Sequence, residues 1–81
     1  MDNSKIANKL KDKALKALHN ANIDVENKRT RILNANYALG EFFALSELIW
    51  EYDINVYVQL GEQTKEYRDK LLEITEDIYS I

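Results

Sequence analysis

The stretch from Ile32 to Trp50 constrains this chain more than any other feature. Its second half reads Leu39, Phe42, Phe43, Ala44, Leu45, Leu48, Ile49 and Trp50, apolar nearly all round when wound as a helix. Only a narrow strip through Gly40, Glu47 and Glu51 is polar. A helix apolar on most sides must be covered on most sides. The whole chain has 81 residues, and two further helices of that length leave part of this surface to something else. Assembly as a homo-oligomer is therefore expected. A membrane span is not: Asn34, Asn36, Glu41, Ser46 and Glu47 interrupt the stretch, and carboxylates in hydrocarbon are costly.

Proline is absent and there are only two glycines. Hairpins and irregular loops depend on those residues, so long helices are favoured. The periodicity predicts an all-α single domain over residues 1–81, a three-helix bundle or long helical hairpin with helices at about 4–21, 25–52 and 55–79. Helix 1 has a small-residue face of Ala7, Leu10, Ala14, Ala17 and Ala21, widened by Ile6 and Leu18. Asp2, Asn3 or Ser4 can cap it. Asn20 to Asp24 forms the first break, with Asn22 or Asp24 as the next cap. The second break falls at Asp53-Ile54-Asn55, where the β-branched Ile54, Val56 and Val58 also permit a short extended piece. No glycine or proline enforces that break, so one continuous helix from Val25 to Ile81 is the competing reading. On helix 3 a heptad seam runs through Tyr57, Leu60, Thr64, Tyr67, Leu71, Ile74, Ile78 and Ile81. Opposite it lie Glu62, Glu66, Asp69, Glu73, Glu76 and Asp77.

The net charge of −3 conceals a split. Residues 1–31 carry eight basic groups against four acidic, a balance of +4, and residues 32–81 carry three against ten, a balance of −7. Lys5, Lys9, Lys13 and Lys16 make one ridge on helix 1, and Lys28, Arg29 and Arg31 cluster at the start of helix 2. Like charges at i and i+4 repel, and cations in a first helical turn oppose the helix dipole. These seven residues are the candidates for an anionic contact. The ordinary reading of such a row is a solvated face. The alternatives are self-complementary packing against acidic helix 3, a small anionic ligand such as a signalling nucleotide held between subunits, and nucleic acid. The overall acidity and the lack of interleaved aromatics weigh against nucleic acid.

Catalytic and metal chemistry lacks its residues. There is no cysteine, which removes thiolate metal sites, cysteine nucleophiles and disulfides. His19 is the only histidine, and no Glu-x-x-His accompanies it. It falls near the end of helix 1, where an exposed or capping role is ordinary. Ser4, Ser46 and Ser80 have no His–Asp partners. The carboxylates of helix 3 share an exposed face and do not converge as a loop can make them. Neither an enzyme nor a cofactor is expected. Phe42, Phe43, Leu45, Ile49, Trp50 and Tyr52 are the candidate interface residues, being of the types that partners bury. The expected function is non-enzymatic binding of a protein partner. A small, cysteine-free chain rich in Asn, Ile and Lys suits a phage or mobile-element inhibitor or regulator of a host defence protein. The start, Met1 to Lys16, has no apolar core of a signal peptide, so the cytoplasm, of the host cell if phage-encoded, is the expected location.

Overall fold

Asp2 starts the first helix. Its backbone is extended and its Oδ1 accepts from the Ser4 N–H at 3.0 Å, filling one of the donors a helix start leaves open. In this computed structural model, which describes residues 2–76, α1 then runs Asn3–His19. It ends two residues earlier than its apolar stripe suggests, because Asn20 closes it with its N–H directed at the Leu18 and Lys16 carbonyls. An irregular connection over Asn20–Asn27 follows. α2 is Lys28–Tyr52 and α3 is Ile54–Glu76. Consecutive helices run antiparallel, giving a three-helix bundle 47 × 16 × 16 Å in extent. The expected ends of helix 3, with Asp77, Ile78, Tyr79, Ser80 and Ile81, lie outside the described residues.

The start of α2 differs from the expected Val25. Asn27, not Asn22 or Asp24, is the cap: its side chain accepts from the Thr30 N–H at 3.0 Å. The preceding residues are tied down by α2 itself. The Asn34 amide donates to the Asn22 carbonyl at 2.7 Å, and the Arg31 guanidinium donates to the Val25 carbonyl at 3.0 Å. Ile23 packs on the core from this segment. Those ties satisfy backbone groups that would otherwise form the first turn of an earlier helix.

A single residue separates α2 from α3. Asp53 sits at φ −159°, ψ 106°, an extended conformation that no continuous helix contains. This excludes both the unbroken helix over 25–81 and an extended piece at 54–58. Asp53 serves both ends at once. Its N–H donates to the Ile49 carbonyl at 2.8 Å, and its Oδ1 accepts from the N–H groups of Asn55 at 3.0 Å and Val56 at 3.4 Å. Asp53→Ala removes that acceptor and is expected to lower stability by about 1 kcal/mol. For a chain of this size that is a fall of about 4–8 °C in melting temperature. Calorimetry that finds no fall would show that the cap contributes nothing.

The core joins all three helices. α1 supplies Ala7, Ala14 and Leu18; α2 supplies Ala35, Ala38, Leu39, Phe42 and Ile49; α3 supplies Val56, Leu60 and Leu71. Ala7, Ala14 and Ala35 have no exposed surface. Small side chains at these positions let α1 and α2 approach closely, as the alanine stripe predicts. On α3 the seam is shifted at its first step: Val56 is buried and Tyr57 is exposed. The remaining positions hold, with Leu60, Thr64 and Leu71 buried and Tyr67 and Ile74 half-buried. Two hydroxyls lie in this core, and each donates within its own helix: Ser46 to the Phe42 carbonyl at 2.8 Å, Thr64 to the Leu60 carbonyl at 2.7 Å. No helix among the described residues is long and apolar enough to cross a membrane.

Candidate functional site

α2 carries most of the large apolar side chains that the bundle leaves exposed. Its buried side faces α1 and α3 through Phe42, Ser46 and Ile49. The same helix still exposes Leu33, Tyr37, Phe43, Leu48, Trp50 and Tyr52. Isolated apolar residues on a surface are ordinary. Several on one helix, continuing onto its neighbour, are a patch.

The continuous part of that patch follows the seam where α2 meets α3. Phe43 and Trp50 are seven residues apart and therefore on one side of α2. Trp50 lies in the last turn of α2 and Tyr57 in the first turn of α3, so the one-residue break at Asp53 folds them together. Their rings meet edge to face, centroids 5.1 Å apart at 90°, a favoured aromatic geometry. Phe43 stands edge-on to Phe42 at 5.6 Å. Between Phe43 and the α3 residues Tyr57, Val58 and Gly61 lies an open groove of about 310 Å³. A second concavity of about 280 Å³ lies beside Trp50, lined also by Glu47, Glu51 and Tyr57. Trp50 is 53% exposed and Val58 48% exposed.

The floor of the larger groove is held by Arg68. Its Nε donates to Thr64 Oγ1 at 3.0 Å and its terminal nitrogen to the Gly61 carbonyl at 2.6 Å. The guanidinium carbon stands 5.9 Å from the Phe42 ring centre, within cation–π range. These contacts tie the guanidinium to α3 and to Phe42 where it lines the groove. The rim is mixed in sign, with Glu62 and Lys65 at the α3 edge.

The candidate interface residues divide. Phe43, Trp50 and Tyr52 are exposed and Leu45 is half-buried. Phe42 at 2% and Ile49 at 0% exposure are taken up by the chain's own core. That corrects their expected place at a partner surface: each faces α1 and α3. Val58, Arg68, Leu33 and Leu48 belong to the uncovered surfaces without having been singled out by the sequence. Val58 carries a β-branched strand signal there, and Arg68 reads as one more charge on a polar face.

The basic candidates do not form one site. Lys5, Lys9, Lys13 and Lys16 are all exposed, along the side of α1 turned away from its buried alanines. Lys28 is half-buried, Arg29 is exposed, and Arg31 is committed to the Val25 carbonyl. A shallow concavity of about 590 Å³ between α1 and α2 does include Lys13, Lys16 and Tyr37. Its floor is alanine, and Glu41 sets a carboxylate in the same opening, which disfavours an anion there. His19 is exposed at the end of α1, its ring 5.3 Å from that of Tyr67. Among the described residues, no group of three or more His, Cys, Asp or Glu side chains converges as a metal site would require.

Comparison with family models, with curated proteins and with solved structures finds no match.

Proposed function

We propose that this chain is a non-enzymatic protein-binding module, and that the aromatic seam of α2 and α3 is its docking surface. The observation that carries this reading is Trp50, more than half exposed and set edge to face against Tyr57. A preoriented aromatic loses little conformational freedom on binding. Tryptophan and tyrosine are the residue types that most often dominate interface energetics. Phe43 and Val58 extend the same surface across both helices, and Arg68 lines the groove beside them with its guanidinium tied to Thr64 and Gly61. Regulation of a host protein by a phage or mobile-element product is the specific form that composition suggests.

The test is affinity capture with the intact chain in its native cell, followed by rebinding of the captured protein as a purified component. Trp50→Ala is expected to weaken that binding about 30-fold, the equivalent of about 2 kcal/mol. Val58→Asp should weaken it further by placing a carboxylate in the groove. Helical circular dichroism should be unchanged in both, since both side chains are about half exposed. Equal binding by the native chain and both variants would remove this surface from the function.

A further inference from the structure

The side of α2 opposite its buried residues carries Leu33, Tyr37, Gly40, Ala44 and Leu48, all exposed, with Tyr37 and Ala44 also bordering the concavity beside α1. Their steps of four, three, four and four keep them on one stripe. Leu33 is 61% and Tyr37 77% exposed. A Cβ built on Gly40 would meet nothing within 4 Å, so open space lies over the backbone at mid-helix. This stripe is about a third of a turn around α2 from Phe43 and Trp50, and the inference drawn from it does not depend on the aromatic seam.

The charges at the two ends of this stripe say what covers it. Arg29 begins it, and Glu47 and Glu51 end it; all three are exposed. α2 has no acidic residue in its first turn and no basic residue in its last. Both ends are therefore opposite in sign to what the helix dipole favours. An antiparallel copy of the same helix relieves both at once, by bringing the acidic end of each against the basic end of the other.

We propose that a second copy of this chain docks on the stripe, its α2 antiparallel to the first about a two-fold axis. Such an interface is isologous, so each contact occurs twice. The register that fits places Tyr37 over Gly40 of the second copy and Leu33 over its Ala44, large side chains over small ones. The same register sets Arg29 within a turn of Glu47 and Glu51 of the second copy. A stable dimer ordinarily covers about 800 Å² on each partner, roughly one-seventh of the 5814 Å² surface of this chain. α2 has 25 residues and offers a face about 37 Å long for it.

Sedimentation of the full chain tests this, with an expected mass twice the 9.5 kDa of one copy. Arg29→Glu suits the dipole of the isolated helix, so the fold is retained. It should nevertheless weaken the dimer at least about tenfold, because the lost pair occurs twice. Glu47→Lys with Glu51→Lys should do the same, and the two reversals combined should restore the dimer. The chain has no cysteine, so Thr30→Cys gives a single spin-label site. Antiparallel pairing in this register puts the two labels about 25 Å apart along the axis. A species that remains at 9.5 kDa into the millimolar range would overturn the proposal. So would a dimer indifferent to the charge reversals, or labels within about 10 Å as parallel packing requires.

Discussion

Ile49→Ala is expected to lower the unfolding free energy by about 2–5 kcal/mol. Ile49 is fully buried in α2 and belongs to the cluster that joins the three helices. The loss combines the transfer of the removed carbons with the cavity they leave. A chain this short has only about 4–12 kcal/mol in total, so the variant loses a large share of its stability. Urea titration measures the effect directly. Its neighbour gives the contrast. Trp50→Ala removes a larger side chain, but one that is 53% exposed and held chiefly by one aromatic contact of about 0.5–1.5 kcal/mol. The order of the two effects separates a core position from a surface one. Equal losses at 49 and 50 would mean that the core face of α2 is misassigned.

The second large effect comes from adding volume. Ala14→Leu places three more carbons at a position with no exposed surface, on the side of α1 that lies against the rest of the bundle. The added carbons cannot turn to solvent from there, and overpacking of this kind costs about 1–3 kcal/mol. Ala17→Leu, at the half-buried margin of the same helix, should cost less because the added carbons can turn to solvent. Thermal unfolding of the pair checks this. If Ala14→Leu melted at the native temperature, the close approach of the helices inferred from the alanines would be wrong.

Much of the fold is legible in the sequence, and the parts that are not fail for identifiable reasons. The end of α2 and the start of α3 are legible to within a residue or two, because Asp53 offers a cap there, although Asn55 competes with it and no glycine or proline enforces the break. The start of α2 is not, because Asn22, Asp24 and Asn27 are all competent caps. The choice among them rests on Asn34 and Arg31 reaching back to the Asn22 and Val25 carbonyls, and no local pattern shows that. Along α3 the three-and-four spacing admits either Val56 or Tyr57 at its first step, and tertiary packing selects the smaller valine. The division of Phe42 from Phe43, and of Ile49 from Trp50, is invisible to periodicity. A helix apolar nearly all round has no phase to read. The surplus of apolar surface on α2 is legible; its allocation is set by where α1 and α3 lie.

The eight-residue connection from Asn20 to Asn27 carries a consequence for alignment. Ala7 and Ala14 stand seven residues apart on α1, so sliding α1 by two turns lays one alanine where the other was. The small-residue face that brings the helices close barely distinguishes one alignment from the next. α2 and α3 cannot slip in this way, since a single residue joins them. For α1 the choice falls to Leu18, the one large buried side chain it contributes, and to the two side chains of α2 that grip the connection. Asn34 and Arg31 thus act as stops that fix how far α1 travels along the bundle.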